Sequence, residues 1–216
     1  GHVEAGGNGV GDFGYVLSPE EVVSYCKRRG YRIIAFTYNE PTVFLEYALD
    51  VARLAKKEGI FSVFVTNGYC SEEAVDELSQ EMDAVSIDLK SFSGNFYRKH
   101  CKSSLDPVLR NIKRFFENGV WMELTTLIIP GENDRISELT HIADFILSLS
   151  NRIPWHITQF SPDYKLLDKR QTPPETLYRT YEMAKSKGLP YVYFGNLWDE
   201  EKTSTFCPSC GKLLVH

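Results

Sequence analysis

Six short apolar runs alternate with stretches of amphipathic, helix-length sequence. The runs fall at 32–37, 61–65, 84–88, 121–129, 155–160 and 191–194. Runs this short, rich in Ile, Val, Phe, Tyr and Trp, read as strands. The stretches between them read as helices. Ser18-Pro19-Glu20-Glu21 is a capping box with proline at the first helical position, opening a helix to about Gly30. Val43, Phe44, Tyr47, Ala48, Val51, Leu54 and Ala55 make one apolar stripe over 42–58. Ser71 caps a helix to about 80, and further helices are expected over 106–115 and 136–149. Thr172-Pro173-Pro174-Glu175 reads as a second capping box, starting a helix that runs to Gly188. Strand and helix in strict alternation mean βαβ units and a mainly parallel sheet. An open doubly wound sheet and a full or partial α/β barrel both satisfy this pattern. Residues 1–17 are glycine-rich and read as loop, 18–200 as one α/β unit, and 201–216 as a tail of different character.

Composition removes several function classes. Lys and Arg number 24 against 29 Asp and Glu, a net charge of −5, so no nucleic-acid partner is expected. There is no apolar run long enough to span a membrane and no basic-then-apolar leader at residue 1. Cysteines stand at 26, 70, 101, 207 and 210, an odd count with one short gap. That is not a secreted disulfide framework, and a reducing cytoplasm is expected.

Parallel α/β folds place their chemistry where the strands end. The first run leads into Tyr38-Asn39-Glu40-Pro41, and the second into Thr66-Asn67-Gly68. The third ends Asp88-Leu89-Lys90; the fourth carries Glu123, Thr125 and Thr126, and the fifth His156 and Gln159. Any one of these could simply cap a helix. Together they point to a ligand site. Asp88 and Lys90 share strand parity, so both face one side of the sheet, where a charge pair needs a partner or a ligand. His156 beside Trp155 reads equally as a satisfied core histidine.

Five segments occur in order: Tyr-Asn-Glu-Pro-Thr, Val-Thr-Asn-Gly-Tyr, Val-Ser-Ile-Asp-Leu-Lys, Thr-Thr-Leu-Ile-Ile-Pro-Gly-Glu-Asn-Asp and Pro-Trp-His-Ile-Thr-Gln-Phe-Ser-Pro-Asp-Tyr. In this the chain resembles the radical S-adenosylmethionine (SAM) enzymes over about residues 14–215. Within them it is similar to the glycyl-radical-enzyme activases related to pyruvate formate-lyase activating enzyme, in the branch known as the AmmeMemoRadiSam system radical SAM enzyme. The resemblance implies a partial (β/α) barrel, SAM, and a [4Fe-4S] cluster held by three thiolates of a CxxxCxxC motif. It implies reductive cleavage of SAM to a 5′-deoxyadenosyl radical that takes hydrogen from a substrate, in activases a protein glycine.

Carried over by position, Asn39, Glu40 and Pro41 stand where the family holds the SAM amino group. The family's two glycines are replaced here, and Glu40 remains as the acceptor. Thr66 and Asn67 match the region near the methionine part. Asp88 and Lys90 match the activase Asp-Leu-Lys, with the lysine on the SAM carboxylate and the aspartate orienting it or holding a cation. A cation site is less complete here, because Val65 and Ser86 occupy two possible ligand positions. Thr125 joins this set, and His156 or Gln159 is expected near the ribose or adenine.

The defining motif is absent, since no three cysteines have CxxxCxxC spacing. Cys26 falls in a helix and reads as core. The first strand and cluster loop are missing too, so the chain is expected to be the C-terminal part of a longer protein and inactive alone. An unpaired edge strand, open to self-association, is the structural expectation. Cys207-Pro-Ser-Cys210-Gly is half of a zinc-ribbon knuckle. His216 offers a third ligand, and the resemblance implies others from an upstream cysteine-rich region. A reduced, metal-free pair is the alternative. The lengthy 161–171 loop is expected either to cover the substrate side or to be a solvated surface loop. Two other functions fit the strand-end residues: an α/β-barrel lyase using Lys90 as a Schiff-base nucleophile, and a non-catalytic scaffold.

Overall fold

A computed structural model describes residues 16–216, so most of the glycine-rich 1–17 stretch lies outside the described residues. Its core is a six-stranded parallel sheet in the order β1-β2-β3-β4-β5-β6. The strands are Ile33–Phe36, Phe61–Thr66, Ala84–Asp88, Trp121–Ile128, Trp155–Gln159 and Val192–Gly195. The helices between them are α2 (Leu45–Lys57), α3 (Glu72–Glu81), α4 (Gly94–Phe96), α5 (Leu105–Glu117), α6 (Ile136–Leu149) and α7 (Pro174–Ser186). Helix α1 (Pro19–Arg29) precedes the sheet. Sequential order with a helical crossover at each step is the winding of a (β/α) barrel, here left partial.

Local chemistry sets the boundaries. The Ser18 hydroxyl accepts from Glu21 N while the Glu21 carboxylate accepts from Ser18 N, the reciprocal box the sequence predicts. Gly30 closes α1 in the left-handed region at φ 70°. The second predicted box does not form. Helix α7 starts from Pro173 with no side-chain cap. The Thr172 hydroxyl instead donates to Ile128 O at 2.5 Å and accepts from Phe160 N at 3.0 Å, tying the loop after β5 to the end of β4. Buried strand-end carbonyls need donors, and that demand outweighs the cap.

The alternation along the strands splits the sheet into two faces. Phe64, Val85, Ile87, Leu124, Trp155 and Ile157 are fully buried under the helices. The opposite, inner face carries Val63, Val65, Ser86, Glu123, Thr125, His156, Thr158 and Tyr193, all only half-buried. Parallel sheets are normally covered on both faces. An inner face this polar and this open is where a ligand can lie. At one edge β1 pairs only with β2 among the described residues, and its Ile33 is exposed. At the other, residues 199–206 return beside β6, with Phe194 N donating to Lys202 O, and a small hairpin forms from β7 (Thr205–Phe206) and β8 (Leu213–Val215). No helix among the described residues is long and apolar enough to cross a membrane.

Candidate functional site

The ends of β1 and β2 are joined by one carboxylate. Glu40 Oε1 accepts from Thr66 Oγ1 at 2.7 Å, Thr42 Oγ1 at 3.0 Å and Thr42 N at 3.3 Å; Oε2 accepts from Asn67 N at 2.7 Å. Thr66 is buried, and its hydroxyl also accepts from Gly68 N. Pro41, buried, begins the 3-10 turn Pro41–Phe44 that leads into α2, while Asn39 lies exposed before it. Three donors share Oε1 and one occupies Oε2, so one of the two positions on Oε2 stays free for a ligand donor.

Lys90 Nζ stands 2.8 Å from Asp88 Oδ2, and both side chains keep more than a third of their surface. The backbone beneath them is fixed. Asn133, fully buried, donates to Lys90 O and Leu127 O and accepts from Ile129 N. Lys90 N donates to the Tyr97 hydroxyl, and burial pushes that phenol's pKa up. A cavity of about 450 Å³ opens here, lined by Asn67, Tyr69, Lys90, Tyr97, His100 and Cys101 among others. The structure therefore brings Asn67 and Lys90 to one rim cavity at the carboxyl ends of β2 and β3.

The strand register extends the site across the inner face. Asp88 lies opposite Thr125, Thr125 opposite His156, and His156 opposite Tyr193, one row over four strands. His156 Nε2 meets Glu123 Oε2 at 2.7 Å, and this bond holds the Glu123 carboxyl below its usual range. The pair lines a second cavity, also about 450 Å³, with Trp121, Tyr191 and Tyr193. Gln159 does not join the row. Its parity turns it to the helix side, where it is buried, donates to Thr172 O and accepts from Gln171 Nε2.

The 161–171 loop is anchored to the rim. Lys169 reaches the Glu132 carboxylate at 2.6 Å, where Lys99 and His100 also converge at 2.8 Å. Hydrogen bonds from Lys169 and then Lys99 pull the Glu132 pKa down to about 2. Sequence reasoning assigned no role to Tyr97, His100 or Glu132. All three belong to segments with no helix or strand periodicity to place them, and the Pro-Gly-Glu-Asn-Asp loop that holds Glu132 and Asn133 was the one available signal.

Residues 6–146 match the Radical SAM superfamily. The chain belongs to that superfamily. A protein of Methanocaldococcus jannaschii, MJ0808, is 42% identical over 200 residues, which is 92% of this chain and 59% of that protein. The pyruvate formate-lyase 1-activating enzyme of Escherichia coli (strain K12) is 24% identical over 161 residues, 68% of this chain and 65% of the enzyme. The chain thus spans less than two thirds of the length of these relatives. A crystal structure of a domain of pyruvate-formate lyase-activating enzyme from Bacteroides vulgatus superposes with a TM-score of 0.66 at 22% identity, over 76% of this chain and 98% of that domain. The fold is accordingly the partial barrel of radical SAM proteins, and the chain is similar to the pyruvate formate-lyase activating enzymes.

The family implies SAM and a [4Fe-4S] cluster, and the residues fit the two differently. SAM carries an ammonium, a carboxylate and a sulfonium, and the open inner face and rim offer carboxylates, a lysine and amide groups to match. The cysteines do not fit the cluster. Cys26 is buried in α1, Cys70 and Cys101 sit half-buried in separate segments, and burial raises all three thiol pKa values, Cys70 to about 11. Cluster ligands must be thiolates, which burial disfavours. Among the described residues no three His, Cys, Asp or Glu side chains converge on a metal position.

Proposed function

We propose that this chain carries the SAM-binding face of a radical SAM enzyme of the glycyl-radical-activating kind. The observation that supports this most directly is the part-exposed Asp88–Lys90 pair, whose lysine lines the same rim cavity as Asn67. In this reading the Lys90 ammonium meets the SAM carboxylate, with Asp88 setting its direction. The free position on Glu40 and the side chain of Asn67 take the SAM ammonium. Thr125 and His156 lie along the inner face toward the ribose and adenine. Gln159 leaves this set and supports the 161–171 loop instead. When bound, SAM supplies a 5′-deoxyadenosyl group as the source of the hydrogen-abstracting radical. The residues of this chain bind and orient it; the cluster's three thiolates are not among its five cysteines. The substrate that loses hydrogen is a polypeptide glycine, the reading that the activating-enzyme relatives favour. The comparisons favour neither the Schiff-base lyase nor the scaffold alternative.

Calorimetry with S-adenosylhomocysteine tests the reading without any cluster. Wild type binds; Lys90→Ala and Asp88→Asn each weaken binding about tenfold, the loss of roughly one charge-assisted hydrogen bond. No binding at millimolar ligand refutes the proposal. A second measurement bears on the cluster: anaerobic iron–sulfide reconstitution of this chain gives no stoichiometric [4Fe-4S] signal by electron paramagnetic resonance.

A further inference from the structure

The loop between β5 and α7 is tied to the barrel at its far end. Thr172 N donates to Phe160 O at 3.0 Å, and Gln171 Nε2 donates to Gln159 Oε1 at 3.0 Å. Farther out the loop forms the 3-10 turn Tyr164–Leu166, with Tyr164 and Leu167 largely exposed. The polar tie that holds this outer part is Lys169, whose ammonium sits 2.6 Å from Glu132 Oε1.

Glu132 has a second set of partners, and these belong to the rim cavity. His100 Nε2 meets Glu132 Oε2 at 2.8 Å, and the imidazole packs against the Phe96 ring with 4.8 Å between centroids. Both rings line the cavity that Lys90 and Asn67 also line. The next residue, Asn133, donates to Lys90 O. One carboxylate, only 9% exposed, therefore holds Lys99 and His100 of the Tyr97–Cys101 turn in the cavity wall and Lys169 of the loop outside it. Charge makes that carboxylate indispensable to the tie. Without it, the Lys99 and Lys169 ammoniums would face each other and repel. Lys99 is fixed in a helical turn, so Lys169, on the loop, is the one that can move away.

We propose that Glu132 is a positioning residue that latches the 161–171 loop to the wall of the ligand cavity, so that ligand binding and loop closure strengthen each other. The inference deepens the SAM-binding reading above and rests on it for the ligand. A ligand that packs on His100 favours the ring position in which Nε2 meets Glu132. The oriented carboxylate then holds Lys169 more firmly, and the loop is closed more of the time. Linkage makes the effect reciprocal. The factor by which the ligand reduces the open population of the loop is the factor by which the latch tightens the ligand.

Chymotrypsin reads the open population, because cleavage after Tyr164 and Leu167 needs a released stretch of backbone and not only an exposed side chain. The 216-residue chain is digested with and without saturating S-adenosylhomocysteine and the fragments are quantified by mass spectrometry. Cleavage after Trp198, as exposed as Tyr164, serves as the reference. The ligand should slow loop cleavage about fivefold. Lys169→Met and Glu132→Gln should each speed loop cleavage in the ligand-free chain and lose the protection. In calorimetry, Lys169→Met should weaken S-adenosylhomocysteine binding by the same factor as the protection seen in wild type. Lys169→Arg, which keeps the charge and the donors, should retain protection and affinity. His100→Gln should leave Lys169 latched yet lose most of the protection, a loss that a merely structural latch would not show. Binding without any change in loop cleavage, or wild-type affinity in Lys169→Met, overturns this inference and leaves the SAM site standing. No binding at millimolar ligand refutes the SAM reading and the coupling with it. Unchanged ligand-free cleavage in both Lys169→Met and Glu132→Gln removes the latch itself, whatever the ligand does.

Discussion

Replacing Glu40 by glutamine separates a structural role from a ligand role at the same carboxylate. Oε1 is surrounded by three donors and Oε2 by one, Asn67 N at 2.7 Å. A glutamine can keep its oxygen on the three-donor side only by turning its amide NH2 toward Asn67 N–H. That loses one hydrogen bond to a charged acceptor and sets donor against donor; the flipped amide is worse, with three donors opposed. Hydrogen bonds to charged groups contribute about 1.5–3 kcal/mol, and Glu40 is half-buried, so Glu40→Gln should cost about 2–3 kcal/mol. Thr66→Val removes one of the same bonds and should cost about 1–2 kcal/mol. Because both variants damage one network, the double variant should fall short of their sum by roughly 1 kcal/mol. Urea unfolding followed by tryptophan fluorescence measures this, since Trp155 is fully buried in the core. Were Glu40 only a ligand group, Glu40→Gln would leave the urea midpoint in place and weaken S-adenosylhomocysteine binding alone. A loss below about 0.5 kcal/mol, or full additivity with Thr66→Val, would falsify the clamp.

Other perturbations reach the same frame. Glu132 is depressed to a pKa of about 2, so its ionised form stabilises the fold above the ordinary carboxylate range, and that contribution fades as pH falls from about 4.5 toward 2. After discounting for solvent around Lys99, Glu132→Gln should cost about 1–2 kcal/mol at pH 7 and much less at pH 2.5, read from urea midpoints at the two values. Gly68 sits at φ 73°, and a Cβ there would fall 2.9 Å from Ile87 Cγ2 and 3.3 Å from Val108 Cγ1. Gly68→Ala should therefore lower the melting temperature measurably, by about 2–3 kcal/mol of stability; an unchanged melting curve would count against the geometry. Asn133→Ala leaves Lys90 O and Leu127 O without a donor and should weaken S-adenosylhomocysteine binding several-fold while costing about 2–3 kcal/mol in urea.

The strand and helix order was legible because every element carries its own period. The stripe from Val43 to Ala55 becomes the 3-10 turn and α2, and the half-open parity of β3 to β5 follows the alternation in their sequences. What could not be read is which face of a strand a polar residue takes at its end. His156 and Gln159 look equivalent in the sequence, yet three residues apart in a strand means opposite faces. One side chain reaches the inner face and the other is buried against Thr172. Thr172 itself illustrates a competition that local signals miss. Its Thr-Pro-Pro-Glu context favours a cap, but the carbonyl of Ile128, 44 residues away, claims the hydroxyl.

Glu40 had a family role and no visible structural one, because its partners Thr66 and Asn67 belong to the next strand. This doubling has a consequence for the SAM site. A carboxylate already accepting from four protein donors is pre-oriented, and its negative charge is partly spread into those bonds. It can hold an ammonium through the single position left on Oε2 with little reorganisation, but it cannot supply two. The second acceptor for a SAM ammonium must then come from elsewhere on the rim, and the side-chain oxygen of Asn67 already accepts from Tyr69 N at 2.8 Å, with one lone pair to spare. Asn67→Asp tests this: a carboxylate there keeps the turn, adds charge beside the ammonium, and should tighten S-adenosylhomocysteine binding by a few-fold at low salt. Unchanged or weaker binding, with the urea midpoint intact, would place the ammonium away from Asn67 and its second acceptor elsewhere on the rim.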